Sequence, residues 1–260
     1  MTDVAPADAP CVWLRLDRSL PRAMATGMAL TLEAAVLERF ERLVAGGSPA
    51  AVPAALRPAG EAGATAGDGP RVQWLPLPDG PGPGAGIGGA CIRLPAGTPA
   101  DVVVGVAVAA GAVGELRVPG PGLSVRLRLF DGTAEPFWTS PARWQGPARS
   151  FRSVLPVVHD LVTGIDGGDV AVVDTVDAGV VRRWCGEVGL PEPADFSVRP
   201  VDVPVGLSVE IPIGTDRAAP TGGALAACHV ELRFATAVPG PFAIGPGRHH
   251  GPGLMAPDVR

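Results

Sequence analysis

The chain has 260 residues, 47% of them hydrophobic, and a formal net charge of −5 at pH 7. That length and apolar content allow one large domain or two small ones, and the acidic balance excludes a globally basic nucleic-acid binder while leaving room for a local basic surface. All 21 basic residues are arginine and tyrosine is absent, so every permanent cation is a guanidinium, the better bidentate partner for phosphate.

The opening MTDVAPADAP is acidic and polar and does not read as a secretory leader. CVWLRLDRSL at 11–20 alternates as a strand through Leu16. The clearest helix is 28–47, where Leu32, Val36, Leu37, Phe40 and Leu43–Val44 recur at helical spacing, Thr31 is the expected cap and Gly46–Gly47 the stop. Glycine (36) and proline (30) make up about a quarter of the chain and crowd into 46–70 and 78–89, which read as loops. RVQWLPLP (71–78) and GIGGACIRLP (86–95) read as short strands. GTPADVVVGVAVAAGAV reads either as a helix begun through Thr98–Pro99–Ala100 or, from its valines and Gly105, as a strand. The apolar run 100–116 is bounded by Asp101 and Glu115. It is shorter than the roughly 20 residues of a membrane span, so a cytoplasmic protein with no membrane partner is expected.

GELRVPG and 122–132 read as strand pieces, with Arg126 and Arg128 on one sheet face. Residues 135–160 mark a changeover rich in tryptophan, phenylalanine and arginine, in which SVLPVV reads as a strand. A second helix is expected over 175–190, with Val176, Val180, Val181, Trp184 and Val188 on its apolar face and GLPEP ending it. FSVRPVDV and LSVEIPI follow as strands, and 227–245 reads as a hairpin turning at Pro239–Gly240.

The closing stretch GPFAIGPGRHHGPGLM (240–255) holds two of the chain's four histidines. Glycine lets backbone N–H groups approach an anion closely. The spacing Gly245-x-Gly247-Arg248-His249-His250-Gly251-x-Gly253 lacks the Gly-Lys-Ser/Thr of a P-loop, and no βαβ unit follows it, so P-loop and Rossmann readings both fail. What remains is a glycine-rich loop with Arg248 at its tip, suited to an RNA backbone, or else a packing turn. His229 in CHVELRF reads as a strand residue on a half-buried face. His159 adjoins Asp160, but neighbouring strand residues face opposite ways. The four cysteines are widely spaced, with no C-x-x-C pair, and read as free thiols; no metal site and no cofactor are expected. In 140–152, Arg143, Arg149 and Arg152 interleave with Trp144 and Phe151, a pattern able to grip phosphates and stack bases, or else a segment between domains with core tryptophans.

HVELRFATAVPGPFAIGPGRHHGPGLM (229–255) resembles the closing strand and glycine-rich loop of the CRISPR-associated RAMP superfamily. It is most similar to the repeat-RNA-processing half of the fused backbone-and-endoribonuclease subunit of type I-G (formerly I-U) systems. RSFRSVLPVV, GLPEP, QWLPLPDG and ACIRLPAG resemble further pieces of that half, in order. The resemblance implies an α+β protein of two tandem ferredoxin-like, RNA-recognition-like domains. The expected boundaries are 1–130, with a Gly/Pro-rich insertion around 46–89, and 131–260. It implies metal-independent cleavage of precursor CRISPR RNA by the 2′-hydroxyl, commonly with a histidine as acid or base.

The chain departs from the family where histidines typically precede the Leu-Pro of the strand matched to VQWLPLPDG: Arg71, Gln73 and Trp74 stand there. The expected function is therefore binding of CRISPR repeat or guide RNA, with other subunits of a type I effector complex as partners and with processing as an added activity. RNA-contacting residues are expected to be Gly245, Gly247, Arg248, Gly251, Gly253, Arg143, Arg149 and Arg152; the catalytic candidates are His249, His250 and His159. An active endoribonuclease and a cytoplasmic scaffold protein without an RNA role are the alternatives, so enzyme or not stays open.

Overall fold

The computed structural model describes residues 9–44, 46–47, 52–57, 71–82, 84–118, 122–132, 137–160, 162–166, 169–173, 176–201 and 225–258. The alternation at the start of the chain forms β1 (Cys11–Leu20), burying Val12, Leu14 and Leu16 on one side. A turn of 3-10 helix (Arg22–Met24) leads into α1 (Ala25–Leu43), whose Met28, Leu32, Val36 and Phe40 lie four residues apart in one buried stripe. Thr31 is not the cap: it sits inside the helix, where its hydroxyl donates to the Gly27 carbonyl (2.7 Å). Gly46 and Gly47, both at positive φ, end the helix as expected, with the Gly47 N–H on the Glu41 carbonyl. Part of the Gly/Pro-rich stretch is packed, since Val52 and Leu56 belong to the core.

β2 (Gln73–Pro78) and β3 (Ile87–Arg93) follow, then α2 (Ala100–Gly111), β4 (Glu115–Val118) and β5 (Leu123–Leu129). The helical reading of 100–111 prevails. Gly105 explains how so apolar a helix packs close: a Cβ there would lie 2.9 Å from a Phe40 ring carbon. The five strands form one antiparallel sheet in the order β2-β3-β1-β5-β4. Its buried face, carrying Leu14, Leu16, Leu116, Val125 and Leu127, packs under α1 and α2 in one core.

A short helix, α3 (Pro141–Gln145), begins the rest of the chain, followed by β6 (Ala148–Ser153) and β7 (Val157–Asp160). The single strand expected over SVLPVV is thus broken at 154–156, where Pro156 has no N–H to give. β8 (Val162–Asp166) and β9 (Asp169–Val173) pair only with each other. In α4 (Ala178–Glu187), Asp177 caps the start by accepting from the Val180 N–H (2.8 Å), and Val181, Trp184 and Cys185 are buried. β10 (Asp195–Val201), β11 (Leu225–Val238), β12 (Phe242–Ala243) and β13 (Leu254–Pro257) complete the chain. LSVEIPI lies outside the described residues.

The second sheet has the order β10-β11-β6-β13-β12, all antiparallel, with β7 also on β11. The hairpin expected over 227–245 does not form. β11 is already flanked by β10 on one edge and by β6 and β7 on the other, so β12 pairs with β13 instead. The loop between β12 and β13 is the glycine-rich stretch.

The two sheets meet at Gln73. Its buried side-chain amide donates to the Ala243 carbonyl (2.8 Å) and accepts from the Ala243 N–H (3.3 Å). Trp144, Leu155, Ala243, Leu254 and Ala256 add to the core of the first sheet. Gln73→Leu strands both backbone groups of Ala243 in an apolar setting. We expect it to cost roughly 2–4 kcal/mol, read as a lower urea midpoint at unchanged slope.

Candidate functional site

Between the two halves lies a cleft of about 590 Å³. One wall is the start of α1 with its leading turn (Arg22, Ala23, Thr26) and Pro81; the other is the open face of β6, β10 and β11. Strand register gathers the second wall. His229 on β11 is opposite Arg199 on β10, and Glu231 is opposite Arg152 on β6. Alternation sends Cys228, Val230 and Leu232 into the core and leaves His229 and Glu231 on the cleft side.

His229 is held through Ser153. The Ser153 Oγ accepts from the Val230 N–H (2.9 Å) and lies 2.9 Å from His229 Nδ1. The hydroxyl has a proton and a lone pair to offer, so it suits either neutral tautomer; with the proton on Nδ1, Nε2 is left as a base. Burial pushes the His229 pKa below its ordinary value, hydrogen bonding to the Ser153 backbone opposes this, and Arg22 and Arg199 push it further down. The imidazole is therefore neutral at pH 7. Arg199 Nη2 lies 3.5 Å from Glu231 Oε1 and Arg22 Nη1 donates to the Gly82 carbonyl (2.9 Å), while Arg152 is exposed. A cleft with three guanidiniums around one neutral, hydrogen-bonded imidazole can bind a phosphodiester and move a proton beside it.

The sequence-expected residues lie elsewhere, apart from Arg152. The glycine-rich loop folds back on the protein. Arg248 Nη1 pairs with Glu187 Oε2 at the end of α4 (2.9 Å) and reaches the Gly245 carbonyl (3.4 Å). Burial lowers the Arg248 pKa, with Glu187 opposing. His249 Nδ1 lies 3.0 Å from the Val72 carbonyl, which can only accept, so Nδ1 carries the proton. His250 Nε2 meets Glu33 Oε2 on α1 (2.7 Å). Gly245, Gly247, Gly251 and Gly253 all have positive φ. A Cβ on Gly251 would lie 2.6 Å from the Pro76 ring, and one on Gly253 only 2.0 Å from the Ile244 carbonyl oxygen. These glycines permit close packing of the loop.

Arg143 is buried, its guanidinium 4.8 Å from the Trp138 ring centre and 5.7 Å from that of Trp144. Trp144 is itself buried, and its ring N–H donates to the Trp138 carbonyl (2.7 Å). Arg149 is exposed on β6. His159 on β7 sits beside Trp184, ring centres 6.4 Å apart, away from the cleft lining. The cysteines are free thiols; Cys91, Cys185 and Cys228 are buried, and burial pushes Cys185 up to about 12. No group of His, Cys, Asp or Glu among the described residues could hold a metal ion, and no described helix is long and apolar enough to cross a membrane.

No family model matches the chain, and no curated protein matches it. It is similar at low identity to solved structures of RAMP and Cas6 proteins. One, described as an RAMP protein binding different RNA substrates, is 13% identical with a TM-score of 0.44, covering 95% of this chain and 97% of that one. A Cas6 product complex is 17% identical with a TM-score of 0.43, covering 97% and 100%. A second Cas6 product complex is 14% identical with a TM-score of 0.42, covering 95% and 98%.

The loop gives stability a pH dependence. Burial, with help from Arg248, depresses the His249 pKa to about 4 from 6.5. Between those values the unfolded chain holds the extra proton and the folded one does not. The contribution is therefore complete above pH 6.5 and lost as pH falls toward about 4. Urea midpoints measured across this range should drop with pH in the wild type, and His249→Gln should flatten that dependence.

Proposed function

We propose that this chain binds RNA in the cleft between its halves, as a CRISPR-associated protein that holds repeat or guide RNA with other subunits of a type I effector complex. We read the halves, 1–130 and 131–260, as ferredoxin-like domains. In the first, β1-α1-β2-β3-α2-β5 takes the sheet order β2-β3-β1-β5. In the second, β6, β10, β11 and β13 take the equivalent order β10-β11-β6-β13, with α4 after the first strand and the glycine-rich loop before the last.

One observation carries the functional reading: Arg22, Arg152 and Arg199 line the same cleft as His229 and Ser153. Guanidiniums are the side chains best shaped for phosphate oxygens. In this reading Arg152 on β6, with Arg22 and Arg199, holds the backbone of the RNA. The glycine-rich loop ties the halves together through His249 on Val72 and His250 on Glu33, with Arg248 committed to Glu187.

Strand cleavage is the second reading, favoured by the His229–Ser153 contact. A neutral His229 can take the proton of a 2′-hydroxyl as its oxygen attacks the adjacent phosphorus. The bond to the 5′-oxygen then breaks, that oxygen takes a proton from solvent to leave as a 5′-hydroxyl, and an arginine steadies the charge on the cyclic phosphate formed. No step needs a metal, and the reading assigns to His229 the role that the sequence expectation gave to His249, His250 or His159.

Labelled repeat-type RNA tests both readings. Arg152→Gln should weaken binding several-fold and reduce the salt slope by about 0.7, the value for one lost phosphate contact on a single strand. If the chain cleaves, His229→Ala should abolish product while binding persists, and His249→Gln should leave cleavage intact at neutral pH. Absence of salt-sensitive RNA binding by the wild-type chain would sink the proposal in favour of a scaffold.

A further inference from the structure

Helix α2 (ADVVVGVAVAAG) holds one charged residue, Asp101 in its first turn. A surface helix turns a polar stripe outward, and one that is apolar all round is covered on every side. α4 follows that rule, with Arg182, Arg183 and Glu187 exposed. α2 does not. Its Val106, Ala109 and Ala110 are buried in the core under α1 and the sheet. Asp101, Val104, Val108 and Gly111 recur at helical spacing on the opposite stripe and are exposed, Val104 by 62%.

The apolar surface extends past the helix. Among the described residues, the exposed large hydrophobic side chains are Leu43, Val44, Val104, Val108 and Leu129. They are neighbours. A Cβ on Gly105 would lie 3.1 Å from Val44 Cγ1, and one on Gly111 would lie 3.0 Å from Leu129 Cδ1. The end of α1 thus borders the stripe at Gly105, and the end of β5 borders it at Gly111. Single exposed apolar residues are ordinary, whereas a contiguous patch marks an interaction surface.

We propose that a second copy of this chain covers this face, α2 packing antiparallel on α2 about a two-fold axis level with the midpoint of Val104 and Val108. Shape favours an identical partner. Val104 of one copy enters the hollow between Ala107, Val108 and Gly111 of the other, and the two-fold repeats the contact. Charge favours it as well. Two copies of formal charge −5 repel, but the stripe's one charge sits at its end. The antiparallel arrangement holds the two Asp101 carboxylates about 15 Å apart along the helices, beyond the screening length of about 10 Å at 0.1 M salt. Apolar patches of roughly 300–600 Å² on each copy bury about 600–1,200 Å² in the pair, the low end of specific interfaces. The dimer is therefore reversible, with a Kd on the order of 10 μM. α1 begins in the cleft wall and ends in this patch, about 28 Å away along the helix, so pairing leaves both clefts open.

Sedimentation velocity on the full chain from about 1 to about 200 μM, bracketing that Kd, tests the pairing. The weight-average mass should rise from 26.3 kDa toward twice that value. The rise should persist in about 1 M salt, where screening acts within about 3 Å. Val104→Arg/Val108→Arg should stay at 26.3 kDa, and so should Val104→Glu/Val108→Glu. Both sites are exposed, so melting temperatures equal to the wild type should show that the variants fold. An equimolar mixture of the two variants should regain the dimer, because each α2 then meets the opposite charge. A wild type that stays monomeric throughout refutes self-pairing and leaves the face to a different chain. Association undiminished in the arginine variant places the contact elsewhere and refutes the proposal. Two monomeric variants whose mixture stays monomeric show α2 meeting some other surface of the second copy, which overturns the two-fold arrangement.

Discussion

Gln73 presents its amide to Ala243 as a neighbouring strand would present a peptide group. The donor meets the carbonyl and the acceptor meets the N–H, in a place from which water is excluded. An apolar residue would fill the space but leave both backbone groups unpaired. A charged one would have to be buried without a partner. The clamp brings the short β12 against β2, and the loop that follows is fastened in sequence: His249 to the Val72 carbonyl, His250 to Glu33, Gly251 against Pro76, and Arg248 back to Glu187. The start of β2 is thereby fixed to the second sheet. Past its other end, Pro81 joins the start of α1 in facing β6, β10 and β11 across the cleft. The cleft is the open side of a junction closed by one amide and one loop.

That junction decides which histidines are available for chemistry. His249 faces a carbonyl, and burial keeps it neutral down to about pH 4. His250 faces a carboxylate on α1. His159 lies beside Trp184, outside the cleft lining. His229 alone of the four faces the cleft, and its ring is oriented by Ser153, whose hydroxyl is itself fixed by a backbone N–H. The paired histidines of the loop are joints between the halves.

Periodicity made much of the fold legible. β1 and α1 follow from alternation and from a stripe four residues apart, and α4 from its valines and Trp184. The helix at 100–111 was ambiguous because nearly every residue in it is apolar, so no face stands out. The hairpin over 227–245 failed for a different reason. Alternation identifies a strand but not its neighbours, and β11 takes its neighbours from β6, β7 and β10. The cleft was illegible for the same cause. Ser153 and His229 are 76 residues apart, and only the β6–β11 register brings them together. Arg22 lies in a turn with no motif around it, and Arg199 in a strand whose partner no local pattern specifies.

Net charge misleads here because charge is sorted by face. Glu38 of α1 pairs with Arg39 and Arg42, Glu187 of α4 with Arg183 and with Arg248 of the loop, and Glu192, just past α4, with Arg182. Arginines on those helices are thus answered locally. On the cleft face of the second sheet, Arg152 is exposed and Arg199 lies beside Glu231. A polyanion approaching a protein of formal charge −5 responds to the nearest face, because screening removes distant charge within about 10 Å at 0.1 M salt. The formal sum therefore does not set the sign of charge at the cleft, whose lining holds Arg22, Arg152 and Arg199 with one carboxylate, Glu231.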